Sequence, residues 1–253
     1  MRDLKNGELE LNRIYHGDCF NFLPLLEKAS INLIICDLPY QHTNLHWDVQ
    51  LDLNKLWEFY HRIISESGCI ILFAQQAFAH ELVASNKKLF KYELIWEKSH
   101  NTNFLNAKKQ PLRSHENILV FYKKSPTYNP QKTVGHAKKE VKASSRKTRT
   151  IEIWNKHDKA IDYSSTERYP RSVLYFASDR QKESLHPTQK PLALIEYLIK
   201  TYSNEGDVVL DSCMGSATTA VAAIKTNRRY IGMEKDENYF NISMERIQRI
   251  KQA

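Results

Sequence analysis

At 253 residues with 42% apolar side chains, the chain is long enough for one well-buried core with a smaller appended lobe, which excludes global disorder. Lys and Arg number 37 against 29 acids, a formal charge of +8 that favours an anionic partner without naming it. The four cysteines (Cys19, Cys36, Cys69, Cys213) lie far apart with no C-x-x-C pair, and no apolar run approaches the roughly 20 residues that cross a bilayer. Reduced core thiols, no metal, no membrane span, no signal peptide and a cytoplasmic setting are therefore expected.

In chain order, "INLIICD" from Ile31 and "GCIILFA" from Gly68 are short, continuous, Ile-rich runs, the pattern of strands covered on both faces of a parallel sheet. Between them, Leu53, Leu56, Trp57, Tyr60, Ile63 and Ile64 recur at helical spacing, and a stop is expected at Gly68. That is a β-α-β unit. "KYELIWEKS" and "ENILVFYKK" continue with strand-like material. Far downstream, Pro191 opens an amphipathic "LALIEYLIKTY", followed by the strand "DVVLD", the helix "SATTAVAAIKT", the strand "RYIGMEKD" and a closing helix. The alternation predicts an α/β fold, a Rossmann-like doubly wound, mostly parallel sheet with helices on both faces.

Between these halves the alternation fails. From Lys123 to Thr150 there are nine Lys or Arg against one acid, yet Tyr128, Trp154, Tyr163, Tyr169, Tyr175 and Phe176 punctuate the longer segment. A solvated linker has few aromatics, so an inserted basic lobe is expected. The predicted division is 1–122, 123–185 for the insert, and 186–253.

"DVVLDSCMGSATTAVAA" is a strand, a small-residue turn and a helix start carrying one glycine, Gly215. A dinucleotide site would need G-x-G-x-x-G, and no P-loop is present. A ligand without phosphate suits the turn better: Gly215 and Ala217 leave room, Asp211 can accept from an ammonium group, and Glu234, 23 residues further, can take both hydroxyls of a ribose. S-adenosylmethionine carries both groups. A helix cap at Asp211 and a surface acid at Glu234 would explain either residue alone.

The first strand ends in Asp37-Leu38-Pro39-Tyr40. An exocyclic amino nitrogen on a base is a poor nucleophile because its lone pair is delocalised into the ring. Asp37 and a carbonyl at Pro39 could accept its protons and let it turn tetrahedral, while Tyr40 could stack the base. Methylation at cytosine C5 would instead need a Pro-Cys nucleophile, and none of the eight prolines precedes a cysteine. A strand cap and turn would equally explain the corner taken alone.

"DLPY" followed by "HPTQKP" and "LDSCMGSATTA", with "IYHGDCF" before and "RYIGMEKDENYF" after, resembles the beta-class DNA amino-methyltransferases over nearly the whole chain. "RSHENILVFYKK" resembles the segment such enzymes carry just before their variable target-recognition region. The resemblance implies the class I methyltransferase fold with permuted motif order. It assigns Asp37, Pro39 and Tyr40 to the target base, with Asp37 also bordering the cofactor. It assigns Asp211, Ser212, Cys213, Met214, Gly215 and Ser216 to the methionine side of S-adenosylmethionine, Glu234 to its ribose, Asp18 to its adenine, and Thr188 and Lys190 to its carboxylate.

Two departures stand out. Leu38 replaces the family's usual Pro, and Cys213 and Ala217 stand where Phe and Gly are common. The expected partner is double-stranded DNA, with a flipped-out base and a basic insert in which Lys138, Lys139, Arg146, Lys147 and Arg149 hold phosphates or read bases. Adenine N6 is the expected target, with cytosine N4 the alternative. A protein-glutamine amide methyltransferase and a catalytically weakened DNA-binding protein are the rivals. The resemblance also allows a homodimer and a partner restriction nuclease, neither marked by a residue of this chain.

Overall fold

The computed structural model describes residues 5–39, 51–143, 162–179 and 189–252. Two compact units emerge, Met1–Asn129 with Ser172–Ala253, and Pro130–Arg171.

In the larger unit a short hairpin, β1 (Lys5–Asn6) and β2 (Leu9–Glu10), precedes β3 (Arg13–His16), α1 (Cys19–Phe22) and β4 (Ile31–Asp37). Then come α2 (Leu53–Ile63), β5 (Ile64–Ala74), α3 (Gln76–Ser85), β6 (Phe90–Thr102) and β7 (Arg113–Phe121). The smaller unit holds β8 (Lys139–Val141) and β9 (Tyr163–Ser165). The chain then adds β10 (Val173–Phe176), α4 (Leu192–Tyr202), β11 (Val208–Asp211), α5 (Thr218–Lys225), β12 (Arg229–Glu234) and α6 (Glu237–Gln252).

Eight strands form one sheet in the order β10-β6-β7-β5-β4-β11-β12-β3, parallel except for β7, which runs antiparallel to both β5 and β6. The alternation of β4 shows how it is held. Ile34, Cys36 and Leu38 join the core on the side of α2 and α3, while Leu33 and Ile35 join the opposite core with α4 and α5. β4 lies beside both β5 and β11, so the order reverses there, and ligands of such sheets gather at the carboxyl ends of the strands around that reversal. Asp37, Asp211 and Glu234 end β4, β11 and β12 at that edge.

Two local expectations are corrected. The helix after Asp52 ends at Ile63, and Ile64 is extended and pairs with Ile31. Gly68 is no helix stop; it lies inside β5 at a register shift, where a Cβ would meet Ile64 Cδ1 at 2.7 Å. A bulge needs a residue without a side chain there. The helix α3 was not foreseen, because in "QAFAHELVAS" only Phe78, Ala79 and Leu82 are buried, too few to mark a period.

The smaller unit lies within the interval 123–185 and is narrower at both ends. Asn129 is tied to the end of α4 through its N–H to Thr201 O at 2.7 Å, and β10 completes the edge of the main sheet on β6. The unit itself is a small antiparallel pair, with Val141 opposite Tyr163, an isolated bridge between Thr133 and Arg168, and Lys132 on Glu167 at 2.9 Å. Among the described residues no helix is long and apolar enough to cross a membrane.

Candidate active site

At the end of β11, Asp211 is buried with both oxygens engaged: Oδ1 accepts from Cys213 N–H at 3.0 Å and Oδ2 from the Thr219 hydroxyl at 2.6 Å. Burial pushes its carboxyl up to about 6 against those hydrogen bonds. Glu234 at the end of β12 is wired the same way, Oε2 accepting from Gly215 N–H at 2.6 Å and Oε1 from Asp236 N–H at 2.8 Å; burial again raises it. Asp211 thus shapes the turn after β11, and Glu234 clasps the tip of that turn.

The turn is packed from three sides. Met214 takes Met233 O at 2.8 Å and lies across Gly232, where an added Cβ would meet Met214 Cε at 2.3 Å. Arg246 of α6, itself buried, donates to Ser216 O at 2.8 Å and to Thr218 Oγ1 at 3.0 Å. Ser212 Oγ shares hydrogens with Tyr60 Oη at 2.6 Å and Cys36 Sγ at 3.3 Å. Cys213, half-buried and hydrogen-bonded to Cys36, has its thiol pushed well above the ordinary value, and burial also raises Cys36, so both stay protonated.

Asp18 caps α1 by accepting from Phe20 N–H at 3.0 Å and holds Lys235 at 3.0 Å. Burial alone would raise its carboxyl, but these donors outweigh it and hold it below the ordinary value. Gly17 N–H donates to Glu234 O at 2.8 Å, so the acid predicted to face adenine and the one predicted to face ribose are neighbours across β3 and β12.

The corner at the end of β4, expected to face the base, is built differently. Asp37 Oδ2 is bonded by Lys190 Nζ, which also lies 3.3 Å from Glu116 Oε2 and 5.1 Å from the centre of the Phe73 ring. Glu116 is bonded in turn by Lys98, itself over the Trp96 ring at 5.3 Å. Two lysines and two acids form a neutral, largely buried chain from β6 through β7 to β4. Burial raises the Asp37 carboxyl, Lys190 opposes this and Glu116 adds to it, leaving it above the ordinary value. Burial would raise Glu116 too, but Lys190 and Lys98 overcome that and lower it. Among the described residues Asp37 Oδ1 is buried without a hydrogen-bond partner.

Leu38 is 1% exposed, part of the core with Leu56 and Tyr60. Burial of its side chain therefore holds the corner where the family's Pro would hold it by ring geometry. Pro39 follows, half-buried. Tyr40 and Thr188 lie outside the described residues, as do Arg146, Lys147 and Arg149. Lys138 and Lys139 belong to the smaller unit, exposed, with Lys138 on Glu140 at 2.5 Å. Lys190 is placed on Asp37 and Glu116, next to the base corner.

The set fits S-adenosylmethionine. Two acids with backbone-fixed oxygens still offer second lone pairs to hydroxyls and an ammonium group, around a turn narrowed to Gly215, while the open Asp37 Oδ1 suits an amino N–H. Sequence reading missed Glu116, Lys98, Tyr60, Thr219 and Arg246, which support these groups from distant positions.

The model of a family described as DNA methylase matches residues 31–245. The type II methyltransferase M1.MboII of Moraxella bovis is 30% identical over 92% of this chain and 95% of its own length. The DNA adenine methyltransferase YhdJ of Escherichia coli K12 is 29% identical over 94% of this chain and 83% of its own. The crystal structure of an M1.HpyAVI complex with S-adenosylmethionine superposes with a TM-score of 0.64 at 23% identity, covering 93% of this chain and 98% of that one, a likeness of fold. The chain belongs to this family of DNA methylases, which use S-adenosylmethionine to methylate the exocyclic amino groups of adenine N6 or cytosine N4.

Proposed function

We propose that the protein is a sequence-specific DNA adenine-N6 methyltransferase acting on a base extruded from the duplex. The observation that carries the reading is Asp37 Oδ1, buried without a hydrogen-bond partner among the described residues, at the strand end next to the turn after β11. S-adenosylmethionine, when bound, supplies an electrophilic methyl group on a sulfonium.

Asp211 and the turn Ser212–Ser216 would hold its amino acid end, Glu234 its ribose and Asp18 its adenine; Thr188 and Lys190 are the remaining candidates for its carboxylate. Asp37 Oδ1 accepts a hydrogen bond from the target amino group, and a carbonyl at Pro39 accepts the second. Together they draw the nitrogen lone pair out of the ring plane toward the methyl carbon. Asp37, with a raised proton affinity, then takes the proton the nitrogen sheds, while Lys190 keeps the carboxyl placed. Tyr40 is assigned the stacking face for the base. The insert, through Lys138, Lys139, Arg146, Lys147 and Arg149, holds the duplex and reads its sequence.

Adenine is preferred because an acid opens the tetrapeptide and because YhdJ, 29% identical, is named an adenine enzyme. Membership of a DNA methylase family favours DNA over the protein-amide substrate. A cytoplasmic enzyme, working as a homodimer and beside a partner nuclease, is the matching setting. The test is to incubate purified protein with labelled cofactor and mixed-sequence duplex DNA, digest, and identify the product. N6-methyladenine, lost in Asp37→Ala, is expected; label on cytosine N4 or on protein would overturn the reading. Absence of heat on calorimetric titration with millimolar S-adenosylmethionine would make the protein a DNA binder only.

A further inference from the structure

Between β6 and β7 the chain makes a projecting turn, Asn103 to Leu112, whose apolar tip is turned to solvent: Phe104 is 73% and Leu105 85% exposed. Folding would normally bury two such neighbouring side chains. The turn is nevertheless well built. Asn103 adopts a left-handed conformation with φ 69°, and its side-chain oxygen accepts from Asn106 Nδ2 at 2.8 Å. Asn106 N–H, Ala107 N–H and Lys109 N–H close successive turns at 3.1, 3.1 and 2.8 Å. Its base is pinned by Arg113, which donates to Gln75 Oε1 at 2.5 Å. The tip is thus presented outward by its own backbone.

Its place follows from topology. β6 runs parallel to β4, with β7 and β5 between, so Thr102 and Asp37 end at the same edge of the sheet. The register Asp37–Phe73–Ile118–Leu94 sets the level of Asp37 at Ile118 on β7 and Leu94 on β6. Thr102 pairs with Arg113, five residues further along β7, so at about 3.3 Å each it is roughly 17 Å further out, and Phe104 and Leu105 follow it in the chain. The tip therefore projects past Asp37 on the edge of the sheet at which β4 ends.

Charge selects the occupant. Residues 98–115 contain Lys98, Lys108, Lys109 and Arg113 and no acid, and Lys108 and Lys109 are exposed beside the apolar pair. A two-fold contact with a second copy would set this basic tip against itself. A polyanion with a stacked apolar interior meets both features.

We infer that Phe104 and Leu105 form a wedge that enters the base stack of duplex DNA beside the extruded nucleotide, with Lys108 and Lys109 on the flanking phosphates. The inference rests on the base-extrusion reading above. Opening a stacked pair is unfavourable, and apolar side chains such as Phe and Leu inserted between base steps offset the lost stacking.

The test first identifies the recognition sequence by sequencing methylated DNA. Single-turnover methylation is then compared on the matched duplex and on one whose target base lies opposite an abasic site, where opening is already easy. The Phe104→Ala/Leu105→Ala variant should lose about tenfold or more on the matched duplex and recover most of it on the abasic one, with unchanged cofactor affinity. Lys108→Ala/Lys109→Ala should weaken DNA binding and flatten its salt dependence. Equal loss on both duplexes, no loss, or a loss that tracks dissociation of a dimer in sedimentation would overturn the wedge. A wild-type protein that methylates neither duplex would instead overturn the DNA reading itself.

Discussion

At the carboxyl ends of β11 and β12, each oxygen of Asp211 and Glu234 meets a backbone N–H or a hydroxyl; at the end of β4, Asp37 leans on one lysine and leaves Oδ1 open. Both regions bury carboxylates, so both bear the desolvation of charge. The first spreads it over fixed dipoles that are part of the fold, which makes a stable floor. The second offsets it with two buried, ion-paired lysines, which leaves Asp37 Oδ1 without a hydrogen-bond partner among the described residues. Under the proposed function, the difference separates the acids that would hold the cofactor from the one that would take up a proton.

The contrast breaks most sharply at Asp37 and Lys190. Asp37→Asn keeps the shape and removes the proton acceptor, so kcat should fall by about 10²–10⁴-fold while cofactor affinity by calorimetry stays within a few fold. Lys190→Met leaves Asp37 and Glu116 with Lys98 as their remaining cation, and urea unfolding should show a loss of about 3–5 kcal/mol. The two neighbours of Asp37, Glu116 and Lys190, also predict opposite pH effects. Glu116 raises the proton affinity of Asp37 and Lys190 lowers it. The acid limb of methylation should therefore move to lower pH in Glu116→Gln and to higher pH in Lys190→Met. Limbs moving the same way would refute the chain as a control of Asp37.

This asymmetry also explains what the sequence shows and what it hides. β4, β5, β11 and β12 are legible because strands buried on both faces are written as continuous apolar runs, and the acids ending them are legible by position. Glu116 is not, because its partner Lys190 is 74 residues away and no local period records a charge pair across strands. Thr219 and Arg246 are hidden for the same reason: each acts on the turn after β11 from a helix whose pattern reports only its apolar face. The bulge at Gly68 was misread because a glycine after an apolar helix serves equally as a stop or as a space for Ile64.

The cofactor side has its own pH signature. The Asp211 carboxyl, raised by burial to about 6, binds its proton more tightly folded than unfolded, where about 3.9 is ordinary. It therefore favours folding in acid, and that contribution is withdrawn as pH rises from about 4 to about 6, by roughly 3 kcal/mol. Binding an ammonium ligand has the opposite sign, since it needs the ionised form. Affinity for S-adenosylmethionine should weaken about tenfold per pH unit below 6 and level off above. Glu234, also raised, adds to the wild-type slope. Asp211→Asn should bind more weakly at neutral pH and keep the Glu234 part of the slope alone; an unchanged profile would remove Asp211 from cofactor binding.

The smallest effect tests how rigid that floor is. Ala217 replaces the family's glycine in a left-handed conformation, φ 65° and ψ 28°, with its methyl wholly buried before α5. Relieving the strain by Ala217→Gly should return about 1–2 kcal/mol. Loss of the buried methyl costs about 0.8 kcal/mol, and the freer unfolded chain about 0.4–1 kcal/mol. The three nearly cancel, so stability should stay within about 0.5 kcal/mol of wild type and methylation should be unchanged. That balance gives a physical reason why alanine is tolerated at a turn that geometry assigns to glycine. Ala217→Val, with a branched side chain forced to positive φ, should instead destabilise by more than about 2 kcal/mol and weaken cofactor binding. Tolerance of valine would mean that the turn relaxes, and that Glu234 and Arg246 do not clamp it as their hydrogen bonds imply.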